Sequence, residues 1–172
     1  NYIRKTHPVQ IKIKNYLESL LNKKITWFAV DGCSAPTPYL SILEMAHLYA
    51  QLSEGKTKEL KTIYQAMCEN PFMIAGDKRF DTQFIKALNK KGVSKGGAEG
   101  LLSIGLKRQN KNIGVCIKSM DGSSRARGIV AAGLLKKLGL LSKKEISDLS
   151  YYINPPILNL NKIKTGYVSV EF

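Results

Sequence analysis

Two apolar runs, Leu101-Leu102-Ser103-Ile104-Gly105-Leu106 and Ile113-Gly114-Val115-Cys116-Ile117-Lys118, flank the polar stretch from Lys107 to Asn112. Strand-like runs on either side of a short polar turn predict an antiparallel hairpin, and a hairpin commits the sheet to antiparallel pairing. Most of the chain ahead of it has helical spacing instead. Pro8 suits the first turn of a helix to about Leu21, with Val9, Ile13, Tyr16, Leu17 and Leu20 as its apolar face. A second helix is predicted from Ser41 to Gly55, and a third around Leu60, Ile63, Tyr64 and Met67, broken at Asn70-Pro71. Phe80 to Leu88 reads as a short helix. After the hairpin come a helix from Ser123 or Ser124 to Leu138, one capped by Ser142 through Tyr152, and a final strand from Tyr167 to Phe172. That order predicts an α+β fold, an antiparallel sheet covered by helices. No boundary divides the chain, so residues 1–172 are expected to form one domain.

Hydrophobic content of 44% and charged content of 23% match ordinary globular composition. No apolar run approaches the roughly 20 residues that cross a bilayer, and no secretory signal is visible, so a cytoplasmic protein is expected. Three cysteines, an odd number, argue against a disulfide framework. The net charge of +14 comes from 27 Lys and Arg against 13 Asp and Glu, largely as lysines scattered over helices. Neither an aromatic-rich strand nor a basic recognition helix accompanies them, so nucleic acid is set aside as a dedicated partner.

Chemistry is concentrated in Asp31-Gly32-Cys33-Ser34-Ala35-Pro36-Thr37-Pro38, which follows the β-branched and aromatic run Ile25 to Val30. That run reads as a buried strand ended by Gly32, Pro36 and Pro38, with Asp31 and Cys33 on the loop at its carboxyl end. Cys68 and Cys116 read as core thiols. Lys95-Gly96-Gly97-Ala98-Glu99-Gly100 reads either as a glycine-rich turn with a solvated lysine or as a loop that lets a ligand approach beside an amine. Lys164-Thr165-Gly166 is similar to the lysine triad of penicillin-recognising serine enzymes, but is read as a decoy, on the expectation that no Ser-x-x-Lys nucleophile accompanies it. His7 and His47 have no companion at metal-ligand spacing.

Five blocks in order resemble the asparaginase II family, the Rhizobium-type L-asparaginases: His7-Pro8-Val9-Gln10, Asp31 to Pro38, Met73-Ile74-Ala75-Gly76 with Arg79-Phe80-Asp81-Thr82, Lys95 to Gly100, and Asp121-Gly122 with Arg125-Ala126-Arg127. The resemblance implies a fold similar to part of the serine β-lactamase and penicillin-binding-protein fold, and hydrolysis of L-asparagine to L-aspartate and ammonia. By the same resemblance Cys33 looks like one ligand of a zinc site, Asp31 like the carboxylate that holds the substrate ammonium, and Lys95 like the lysine of a catalytic Ser-Lys pair. A thiolate suits zinc and a carboxylate suits an ammonium.

The family's amino-terminal Ser-x-x-Lys and Cys-Ser-Gly-Lys-His segments have no counterpart here, so the chain is expected to correspond to a carboxy-terminal part and to be inactive or incomplete by itself. Its expected partners are a complementary amino-terminal segment or further copies of itself, through apolar surface left uncovered. The alternative reading is a non-catalytic amino-acid-binding or basic interaction protein derived from the same fold.

Overall fold

A computed structural model describes residues 1–172. Helix α1 (Pro8–Leu21) starts at Pro8, with the His7 side chain accepting the Val9 backbone N–H, and ends where Asn22 turns left-handed. A small hairpin follows, β1 (Phe28–Val30) against β2 (Pro36–Pro38), paired with nothing else. Helix α2 (Ile42–Glu54) opens with a reciprocal Ser41 and Glu44 capping box and stops at Gly55 at a φ of 70°. Helices α3 (Lys58–Glu69), α4 (Pro71–Ala75) and α5 (Phe80–Leu88) lead into the central sheet.

That sheet is antiparallel in the order β3 (Gly92–Gly96), β4 (Leu101–Arg108), β5 (Lys111–Lys118). The strands β4 and β5 are joined by Gln109-Asn110, both at positive φ, as in the two-residue turns that match strand twist. Helix α6 (Arg127–Lys137), helix α7 (Lys143–Asp148) and a 3-10 turn at Ser150–Tyr152 follow. The chain closes with a second small hairpin, β6 (Pro156–Leu158) with β7 (Lys164–Tyr167).

Strand alternation sorts the central sheet into two faces. Leu102, Ile104 and Leu106 of β4 pack with Phe80, Phe84 and Leu88 of α5 and Ala131, Ala132 and Leu135 of α6 in the larger core. Val93 on the opposite face joins Leu20, Leu52, Leu60 and Tyr64 in the smaller one. Helix α2 lies against this second face at Gly105 and Gly114, where an added Cβ would run into the Tyr49 and Ala46 carbonyls. The predicted α+β architecture, an antiparallel sheet covered by helices, is the observed one.

Several local expectations are corrected. The run Ile25 to Val30 is not a buried strand: strand structure begins only at Phe28, and Trp27 and Val30 are 74% and 69% exposed. The strand ends at Val30 as expected, but Pro36 and Pro38, read as the end of that run, form a second strand with Thr37 that pairs back on it. Their missing N–H groups are tolerated because Ala35 and Tyr39 carry the adjacent ladder bonds, to Asp31 and Trp27. Helix α1 leaves Val9 and Ile13 about half exposed, so the first half of its predicted apolar face is uncovered while Leu20 and Tyr16 join the smaller core. The helix after Ser123 starts at Arg127, and the last strand lies at Lys164–Tyr167 rather than Tyr167 to Phe172. Lys95 and Gly96, read as part of a turn, end β3. Cys68 and Cys116 are half-buried rather than core. No helix is long and apolar enough to cross a membrane.

Candidate functional site

Asp31 opens the turn between β1 and β2 and holds it. Its backbone N–H donates to Ala35 O at 3.1 Å, and Asp31 O accepts from Ser34 N at 3.0 Å. Its carboxylate Oδ1 accepts from Cys33 N at 2.8 Å and Ala35 N at 3.0 Å, while Ser34 takes a positive φ of 66°. One carboxylate oxygen therefore fixes the loop, and these bonds leave the other for a ligand. Cys33 stands exposed on the same turn with a free thiol.

Lys95 is placed by β3. Val93 and Lys95 point to the α2 side of the sheet, and Ser94 and Gly96 to the α5 and α6 side, as their cross-strand partners Gly105, Ser103, Ile104 and Leu102 require. Ser94 is fully buried and its hydroxyl donates to the buried Asp81 carboxylate at 2.5 Å. Gly96 lies under the Arg127 guanidinium, which donates to Gly97 O at 2.8 Å and Leu101 O at 2.9 Å. A Cβ at Gly96 would sit 2.6 Å from that guanidinium, so glycine is required for the approach. Lys95 itself is exposed, and its Nζ donates to Gly96 O at 2.6 Å. None of the chain's ion pairs involves Lys95, Asp31 or Arg127.

Sequence reasoning singled out Asp31, Cys33 and Lys95; it missed Asp81 and Ser94, which brace the strand beneath Lys95. The signal available was that Asp81 falls within one of the five blocks and Ser94 directly precedes Lys95. The structure sets Asp31 and Cys33 side by side on one turn and carries Lys95 on a different sheet, with no hydrogen bond joining them. Burial, with smaller contributions from Asp81 and Cys116, pushes the Tyr49 phenol up to about 12.

Zinc meets a donor set that does not fit on this chain alone. The metal takes four ligands in a structural site and three protein ligands in a catalytic one, whereas no group of three His, Cys, Asp or Glu gathers anywhere in the fold. Cys33 is a single thiol, and the neighbouring Asp31 has one oxygen occupied by backbone amides.

One Ser-x-x-Lys spacing does occur, contrary to expectation: Ser53 precedes Lys56 by three residues. Ser53 is fully buried, with its hydroxyl donating to Ala50 O at 2.8 Å, and Lys56 is exposed beyond the left-handed Gly55. That serine is packing at the α2–β4 contact, not a nucleophile in reach of substrate.

A search of curated proteins finds no match to the chain. A scan of family models matches residues 1–170 to the one described as L-asparaginase II. With nearly its whole length matched, the chain belongs to the L-asparaginase II family.

Proposed function

We propose that this chain forms part of an amidohydrolase site that converts L-asparagine to L-aspartate and ammonia. The match over residues 1–170 carries the reading. It is supported by an exposed carboxylate and an exposed amine, both free of ion-pair partners. In the proposed reaction Asp31 binds the α-ammonium of the substrate through the carboxylate oxygen that the turn does not use. Lys95, in its neutral form, takes the proton of an attacking serine hydroxyl. The serine oxygen bonds to the side-chain carbonyl carbon, ammonia leaves carrying the transferred proton, and water then cleaves the acyl ester to release aspartate. The serine comes from outside the residues described here, and Cys33 would give one thiolate to a zinc site completed by the same outside segment.

Binding and turnover separate in the test. The isolated chain given L-asparagine is expected to release no ammonia above the uncatalysed rate, yet to bind the amino acid in calorimetry. Asp31→Asn keeps an oxygen for Cys33 N and Ala35 N and removes the charge. Its affinity should fall on the order of tenfold to a hundredfold, in line with about 1.5–3 kcal/mol for a hydrogen bond to a charged group. Robust ammonia release by the chain alone would overturn the incomplete-site reading, and unchanged affinity in Asp31→Asn would overturn the role of Asp31.

A further inference from the structure

The part of the molecule around the Asp31 turn has an apolar surface that the fold itself does not cover. Val9, Ile11 and Ile13 of α1 are 49%, 44% and 48% exposed, and Trp27 and Tyr39 beside the hairpin are 74% and 78% exposed. Two open concavities of about 570 and 670 Å³ lie here, meeting at Lys24, Ile25, Thr26 and Phe28. The first is floored by Trp27 and Tyr39, and the second runs between Ile11 and Ile13 of α1 and Pro36 and Pro38 of β2. Large apolar side chains exposed together beside open concavities with a polar rim mark an interaction site.

Charge selects the occupant. The charged residues lining the two concavities are Lys5, Lys14, Lys23, Lys24 and Glu18; Lys23 is paired with Glu44 at 2.5 Å, so the unspent positive charge is that of Lys5 and of Lys14 and Lys24, which share one carboxylate. Glu18 is already committed to Lys14 at 3.6 Å, Lys24 at 3.2 Å and the Ile25 backbone N–H at 2.8 Å. The Ile25 amide, ahead of the lysines, holds its carboxyl below the usual carboxylate range, so it stays ionised and adds no free acceptor. A second copy would bring the same cationic rim and the same net charge of +14 to meet it. We propose that this surface docks a polypeptide segment of opposite character, an amphipathic helix whose apolar ridge fills the concavities between Ile11 and Trp27 and whose flanking Asp and Glu residues meet Lys5, Lys14 and Lys24. The segment lies against the hairpin whose tip carries Asp31 and Cys33, so its seating holds that tip in place. The docking goes beyond the amidohydrolase reading and stands without it; only the consequence for substrate binding rests on that reading.

Trp27, the only tryptophan, is a built-in reporter of the groove. The probe is a 14-residue amphipathic peptide with leucine on one face and glutamate elsewhere, compared with the same peptide carrying lysine in place of glutamate. Saturable blue-shifted Trp27 emission is expected with the first and none with the second, and binding should weaken about tenfold between 0.05 and 0.5 M salt. Ile13→Glu, at a position half exposed and outside both cores, should weaken the glutamate peptide at least tenfold with an unchanged circular dichroism spectrum. The proposal is overturned by equal binding of the two peptides, by no emission change with the glutamate peptide, or by sedimentation equilibrium showing a dimer that buries Trp27. Calorimetry with L-asparagine reads the amidohydrolase assignment separately, since the Trp27 signal needs no substrate.

Discussion

Gly114 and Gly133 are both glycines in regular elements, and the structure predicts opposite outcomes for the same change to alanine. At Gly114 in β5 an added Cβ would lie 2.7 Å from Ala46 C and 2.8 Å from Ala50 N, and closer still to the Ala46 carbonyl oxygen. These are backbone atoms of α2, so no side-chain rotation relieves the contact. Ordinary contact begins at 3.4 Å. The helix must therefore lift off the sheet by more than about an ångström along a tightly packed face, and overpacking of that kind costs about 3 kcal/mol, at or above the upper end of its usual range. At Gly133 in α6 the nearest atom would be Val170 Cβ at 3.4 Å, an ordinary contact. There alanine replaces glycine in a helix interior, which stabilises by about 0.5–1 kcal/mol. Thermal unfolding followed by far-ultraviolet circular dichroism should give Gly114→Ala a Tm lower by about 6–12 °C and Gly133→Ala one higher by about 1–4 °C. A Gly114→Ala protein as stable as the parent would refute the close seating of α2 on the sheet.

Acid should weaken the fold partly through Glu44, whose carboxyl is lowered from 4.5 to about 2 by Lys23, 2.5 Å away, and by the Ser41 capping box. A lowered folded pKa gives stability that is complete above 4.5 and is lost as pH falls toward about 2, so Glu44→Gln should flatten the Tm profile over that window. At the alkaline end, Tyr49 is raised from 10.0 to about 12 by burial, so its contribution is complete below 10 and fades as pH climbs to about 12. Tyr49→Phe should remove that part of the alkaline limb, and an unchanged limb would count against burial as its cause. Thiol labelling with an aromatic disulfide at pH 8 should modify one cysteine quickly, the exposed Cys33, and Cys33→Ser should abolish that fast phase. Cys68 should lag, because burial pushes its thiol above the usual range.

Elements with local punctuation were legible in the sequence, and those defined by distant partners were not. Helix α2 could be read from Ser41 and Gly55 because both caps act within the segment itself, and the β4–β5 hairpin from two apolar runs around a polar turn. Strand β3 carries three residues without bulk among its five, Gly92, Ser94 and Gly96, and so resembles a turn. It is a strand because Gly92 admits Leu88 and Phe84, Val93 enters the smaller core and Ser94 reaches Asp81, contacts that the five residues themselves do not reveal. Ile25 to Val30 misled in the other direction. Only Ile25 of that run is buried, at 3% exposure, because the backbone leaves the core immediately after it. Apolar content in that run records a surface awaiting a partner, which periodicity alone does not distinguish from a core.

The same argument explains why the lysine of the candidate site lies where it does. In β3 the residues on either side of Lys95 face the packed side of the sheet, Ser94 against Asp81 and Gly96 beneath Arg127. Alternation then leaves Lys95 as the one exposed residue of the strand, at its carboxyl end, next to a turn closed by the two Arg127 hydrogen bonds. An amine presented from a strand braced on both sides varies less in position than one on a flexible loop, and the proposed proton transfer from a serine hydroxyl to Lys95 demands that constancy. Asp81→Ala removes the brace without touching Lys95. It leaves the Ser94 hydroxyl buried and unpaired, a loss of about 1–3 kcal/mol. If the brace holds the strand itself and does not merely add stability, Asp81→Ala will speed amide hydrogen exchange at Ser94, Lys95 and Gly96 beyond the change in global stability, while Leu135→Ala, which leaves the Ser94–Asp81 hydrogen bond in place, will speed it only by the global change.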